Sequence, residues 1–190
     1  MPAAARPEAA KQKSKLREFL EQVAAAVLTA AFIMYFVARA FQVDGTSMLP
    51  TLAEGERLLV EKVTYRLREP ARGEIVVFRF PQDPRQHFIK RVIGLPGDEV
   101  YISGGWLFIN GEPIEEDYIL ARMRGSFGPV EVPKGHYFVL GDNRNISEDS
   151  RSPQVGMVPF HLFEGRAVFR FWPFSRAGLM RAPPLAFAAE

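Results

Sequence analysis

The chain contains no cysteine, and only three histidines and two tryptophans, among its 190 residues. Without cysteine there can be no disulfide framework, no thiolate metal site and no cysteine nucleophile. The histidines, His87, His136 and His161, come without a recognisable partner motif, so a Ser/His/Asp triad stays open but unsupported. A dominant charge of one sign is also missing. There are 24 basic against 22 acidic residues, a net charge of +2. That mild, dispersed excess gives no argument for nucleic acid. Internal repeats are absent.

Long apolar runs are nearly absent too. The one uncharged stretch, Val23 to Ala38, is 16 residues long. As a helix it would extend roughly 24 Å, short of a hydrocarbon core of roughly 30 Å. Arg39 can snorkel and Ala40 and Phe41 lengthen the apolar stretch, which makes the span adequate. Arg6, Lys11, Lys13, Lys15 and Arg17 precede it. This bias predicts an N-terminus inside and everything after Phe41 outside. The expected division is a basic cytoplasmic tail over 1–20, without structure to about Ser14, and a transmembrane helix over 21–41. A β domain follows over 42–175, then a loose tail over 176–190. A cleavable signal peptide is the rival reading, because Ala38-Arg39-Ala40 after an apolar run fits its pattern. A buried core helix fits less well, since the run is apolar on all faces.

Beyond Phe41 the pattern is mostly strand. Residues 58–63 and 74–80 are rich in β-branched and aromatic side chains. Residues 98–103 and 106–109 flank Gly104-Gly105, a hairpin signal, and Asn110-Gly111 marks a second tight turn. Residues 136–140 and 167–171 complete the set. Prolines fall between these runs rather than within them. The expected fold is therefore mainly β, a barrel or sandwich. The segment 111–133 is the least patterned.

Three stretches carry chemistry. The first, Asp44-Gly45-Thr46-Ser47-Met48-Leu49-Pro50-Thr51-Leu52, places a serine in a Gly/Pro-bounded turn directly after the apolar segment. It is no nucleophile elbow, since Leu49 stands where that motif needs glycine. A lone serine is more often a turn residue or a helix cap. The second is His87-Phe88-Ile89-Lys90-Arg91-Val92-Ile93-Gly94. Strand alternation puts Phe88, Lys90 and Val92 on one face. If that face is inward, Lys90 is desolvated, its pKa falls, and the neutral amine can take a proton from Ser47. An exposed lysine on an edge strand is the plainer alternative. The third, Gly141-Asp142-Asn143-Arg144-Asn145-Ile146-Ser147-Glu148-Asp149-Ser150-Arg151, reads either as a polar turn or as part of a site. It fails as a calcium loop, because Arg144 and Ile146 occupy ligand positions.

In this order the three stretches resemble the motif boxes of the bacterial type I signal peptidases, from about Phe41 to Trp172. The resemblance implies a membrane-anchored serine endopeptidase with a Ser/Lys dyad and no metal or organic cofactor. Ser47 would be the nucleophile and Lys90 the general base. A serine at the position of Ser147 would orient the lysine amine. Asp149 and Arg151 would form a bracing pair, and Asp142 and Arg144 match structural positions. The segment 111–133 would be a variable insertion between the second and third boxes. The substrates would be secreted preproteins, cut at the outer face of the inner (plasma) membrane, with the lipid bilayer as second partner. Phe41, Val43, Met48 and Ile89 are candidates for shallow substrate pockets or, equally, ordinary core. Some members carry serine at the position of Gly45 as a second oxyanion donor. With glycine here, Gly45→Ser should keep or raise activity if the backbone angle is ordinary, and Gly45→Val should block the site. Ser152-Pro153-Gln154-Val155-Gly156 departs from the family, many of whose members have an aromatic residue directly before the glycine. Two other classes stay open: a self-cleaving SOS-repressor-like Ser/Lys peptidase, and a non-catalytic membrane-tethered β module that binds peptides.

Overall fold

The computed structural model describes residues 8–183 and 186–187, without the side chains of 8–14, 32–36 and 186–187. It falls into two compact units, residues 1–38 and 39–190.

The first unit is one helix, α1 (Glu8–Phe36). It begins earlier than composition predicts. Pro7 precedes the helix, and Glu8, Ala9, Ala10, Lys11, Gln12 and Lys13 are strong helix formers. It also ends earlier than the expected 21–41 span, because the chain enters a strand at Ala38. Leu16, Phe19, Leu20, Val23, Val27 and Leu28 of α1 are exposed. Among the described residues, no helix is long and apolar enough to cross a membrane. The side chains of 32–36, inside the uncharged run Val23–Ala38, lie outside the described residues.

The second unit is mainly β. Its strands are β1 (Ala38–Gln42), β2 (Arg57–Glu61), β3 (Ile75–Arg79), β4 (His87–Gly94), β5 (Glu99–Ser103), β6 (Trp106–Ile109) and β7 (Glu112–Glu115). They continue with β8 (Phe127–Glu131), β9 (His136–Leu140), β10 (Val158–Pro159), β11 (Phe163–Trp172), β12 (Gly178–Leu179) and β13 (Ala186–Phe187). One sheet runs β1-β2-β11-β3-β4-β9-β10 with β12 on β11; the other runs β13-β7-β6-β5-β8. The two predicted hairpins are present, with Ser103 opposite Trp106 and Ile109 opposite Glu112. Asn110 and Gly111 both take positive φ, as the tight turn between β6 and β7 requires.

Alternation works on both faces of the larger sheet. Ile75, Val77 and Ile89 enter one apolar cluster with Val43, Met48, Leu52, Leu58 and Val60. Val76, Phe78 and Val92 enter another with Tyr137 and Val139. Strands β3 and β4 are therefore buried on both sides, which explains their nearly continuous apolar sequence. The smaller sheet shares a third cluster with Ile93, Phe138 and Leu140 of β4 and β9.

The two segments with the weakest sequence pattern both carry strands. The 111–133 segment supplies β7 and β8, both in the smaller sheet. The 176–190 tail supplies β12, paired with β11, and β13, paired with β7. Arg176 also reaches the buried Glu56 at 2.7 Å. Basic, Ala/Pro-rich composition hid these contacts because they are made with partners far away in sequence.

Candidate active site

Ser47 lies in the turn between β1 and β2. Leu52 N donates to Met48 O at 2.9 Å and Leu49 N to Thr46 O at 3.2 Å, so the segment closes as overlapping turns. Met48 and Leu52, 1% and 0% exposed, pin it to the core. This leaves the Ser47 side chain directed away from the cluster below.

Lys90 arrives from β4 and is only 5% exposed. Its Nζ lies 3.0 Å from Ser47 Oγ and donates to the Ile89 carbonyl at 3.1 Å. The Phe88 ring stands 5.1 Å from the amine. Burial pushes the Lys90 pKa down from 10.5 to about 8, and the carboxylates of Asp149, Glu148 and Asp142 pull it back up. Desolvation wins because no carboxylate forms a direct ion pair with Nζ among the described residues.

The 141–151 loop closes the third side. Asn143 N donates to Ser47 O at 3.0 Å and Asn143 Nδ2 to Thr46 O at 3.2 Å. Gly141 makes that approach possible: a Cβ there would stand 2.2 Å from Ser147 Oγ and 2.5 Å from Ser47 O. Asp149 is fully buried, accepts from Gly141 N at 3.1 Å, and receives Arg151 Nε and Nη2 at 2.8 Å each. Asp149 and Arg151 are thus a two-donor ion pair. Ser147 differs from expectation. Among the described residues its hydroxyl is buried without a hydrogen-bond partner, and the second Lys90 bond goes to the Ile89 carbonyl instead. The hydroxyl is close to the dyad but does not orient the amine in this structure.

Sequence reasoning missed the support beneath the loop. Arg91 Nε and Nη2 reach Asp142 at 2.8 and 2.6 Å. Arg144 forks onto Glu116 at 2.5 and 2.6 Å, and the Tyr118 ring lies 4.2 Å from the Arg91 guanidinium and 5.8 Å from that of Arg144. Glu116 and Tyr118 belong to the segment read as insertion, so nothing local marked them. The signal present was the pair of arginines directly beside two motif carboxylates, which required partners once buried.

Ser47 and Lys90 open onto a cleft of about 710 Å³, walled also by Phe41, Val43, Met48 and Ile89. All four proposed pocket residues line it, while Val43, Met48 and Ile89 are also members of the core. His87 borders the cleft and packs against Phe41 with tilted rings, their centroids 5.3 Å apart. It makes no hydrogen bond to Ser47 or Lys90 among the described residues.

A serine hydroxyl beside a desolvated amine, in an open cleft of a mainly β chain, is an arrangement suited to serine-peptidase chemistry. Comparison with known proteins gives the family. Residues 16–172 match the family described as "Signal peptidase, peptidase S26". Signal peptidase I of Leptolyngbya laminosa is 44% identical over 190 residues, covering 96% of this chain and 91% of the relative. Probable signal peptidase I-2 of a Synechocystis species is 50% identical over 161 residues, covering 82% and 72%. Signal peptidase I of Bacillus licheniformis is 39% identical over 174 residues, covering 86% and 92%. The chain belongs to the signal peptidase family S26.

Gly45 carries a specific consequence. Its φ is +79°, so the backbone angle is not ordinary, although a Cβ there would meet nothing within 4 Å. Serine at this position would carry a left-handed strain of about 1–2 kcal/mol. Gly45→Ser is expected to lower stability by about that amount without raising turnover, and Gly45→Val to cost more because β-branching suits this region least. Turnover beside thermal unfolding for both variants checks this. A faster Ser variant with unchanged melting would contradict it.

Proposed function

We propose that this chain is a membrane-bound serine endopeptidase that removes N-terminal signal peptides from secreted preproteins, with Ser47 as nucleophile and Lys90 as general base. The observation that carries this reading is the 3.0 Å contact between Ser47 Oγ and the buried Lys90 amine. Neutral Lys90 takes the hydroxyl proton as Ser47 attacks the scissile carbonyl. The resulting ammonium protonates the leaving amine, and the amine then activates the water that releases the acyl group. The Ser47 N–H, engaged by no acceptor among the described residues, is the first oxyanion donor. Asp149 and Arg151 hold the loop that presses on the Ser47 carbonyl.

The substrate is read as an extended peptide. One edge of His87–Lys90 pairs with β3, but pairing with β9 begins only at Arg91. β1 ends the larger sheet, so its outer edge is free as well. Both segments line the cleft. A peptide strand laid there gains main-chain hydrogen bonds in fixed register, and alternate side chains face the enzyme.

The N-terminal segment serves as a single-pass anchor in the inner (plasma) membrane, N-terminus cytoplasmic and catalytic domain outside. Support comes from the exposed apolar side chains along α1 and the basic residues before Val23. A reporter fused after Trp172 should read extracytoplasmic; a cytoplasmic readout would overturn the orientation.

The chemistry has a pH signature. The base is the neutral amine. With a pKa near 8 instead of 10.5, its fraction at pH 7 rises from roughly 0.03% to roughly 10%. On a preprotein substrate, kcat/KM should climb with pH through about 8 and level above it. Lys90→Ala should lose about 10²–10⁴-fold in turnover while remaining folded. A flat profile from acid to neutral pH, or a fully active Lys90→Ala, would contradict the assignment.

A further inference from the structure

Thr51 belongs to no role assigned so far, yet its hydroxyl meets both Asp142 and Arg91 beneath the site. It stands four residues after Ser47 in the same turn between β1 and β2. Ser47 Oγ meets Lys90. Thr51 Oγ1 donates to Asp142 Oδ2 at 2.5 Å and lies 3.4 Å from Arg91 Nη2. Lys90 and Arg91 are consecutive in β4, and Asp142 roots the loop whose Asn143 bonds the Ser47 carbonyl. The Thr51 carbonyl is held as well: Arg170 Nη1 of β11 donates to it at 3.0 Å and to Glu56 at 3.0 Å. Asp142 is fully buried, so its hydrogen bonds face no competition from water.

From this convergence we infer that Thr51 is a positioning residue. Its hydroxyl fixes the turn that carries the nucleophile against Asp142 and Arg91, and so sets the separation of Ser47 Oγ from the Lys90 amine. The inference rests on the Ser47/Lys90 reading given above. It needs the hydroxyl specifically. A turn held only by Met48 and Leu52 in the core would be indifferent to losing one oxygen atom at residue 51. A turn registered by the Thr51–Asp142 bond would drift relative to β4 while staying folded.

The test compares the full-length protein with Thr51→Val, which keeps the shape and loses the hydroxyl, and Thr51→Ser, which keeps the hydroxyl. Ser47→Ala is run in parallel. Each is measured on a model preprotein for kcat and KM, with active sites counted by a serine-directed acylating agent and folding followed by thermal unfolding. Displacement of reacting groups by about 1 Å costs up to about 100-fold. Thr51→Val is therefore expected to lose about 10–100-fold in kcat per titrated site with KM within about threefold. Thr51→Ser should stay within about threefold of the parent. An unchanged kcat per titrated site in Thr51→Val, with Ser47→Ala inactive, overturns the Thr51 inference alone. So does a loss explained entirely by fewer folded molecules, or an equal loss in Thr51→Ser, which would assign the effect to the methyl group. An active Ser47→Ala overturns the dyad reading and this inference together.

Discussion

The residues around the cleft are packed about one buried amine. Lys90 sits at 5% exposure with no direct carboxylate partner among the described residues, and that burial pushes its pKa down to about 8. A solvated lysine would be protonated at neutral pH and useless as a base. A lysine paired tightly with a carboxylate would be held charged. The fold avoids both outcomes by packing the amine against Phe88 and the Ser47 turn. Asp142 and Asp149 are kept occupied by Arg91 and Arg151. The carboxylates raise the lysine pKa from a distance without capturing the proton.

That arrangement explains the density of arginine beneath the site. Buried Asp142, Asp149 and Glu116 would each be costly alone, and removing one member of such a pair leaves an uncompensated charge. Arg91, Arg151 and Arg144 satisfy them and, in doing so, tie β4, the 141–151 loop and the 112–118 segment into one frame. Planar guanidinium groups suit this task, since each meets its carboxylate through two donors. Lys90 is a lysine for the opposite reason: its amine can lose the proton, whereas a guanidinium cannot.

The parts of this design that are local were legible in the sequence. Strand alternation around Lys90, the Gly104-Gly105 and Asn110-Gly111 turns and the order of the three stretches all depend on near neighbours. What depends on distant partners was not. Residues 38–41 read equally well as the end of an apolar helix, and only pairing of β1 beside β2 makes them strand. Glu116 finds Arg144 28 positions away, and Arg176 finds Glu56 across 120 residues, so neither the insertion nor the tail showed its role. Gly45 was recognisable as a special glycine, but its left-handed φ follows from how the turn docks onto the core. Ser147 was placed near the dyad by resemblance, while the hydrogen bond expected of it goes to a backbone carbonyl that no side-chain motif reveals.

The central claim is that the buried amine activates Ser47 for covalent catalysis. The most direct measurement mixes the protein with a preprotein, quenches in acid during turnover, and maps the acyl mass by proteolysis and mass spectrometry. The account predicts an acyl adduct on the peptide containing Ser47 in the parent protein, with its formation all but abolished in Lys90→Ala. An adduct on any other residue, or one that forms on Ser47 at an undiminished rate without Lys90, would contradict it.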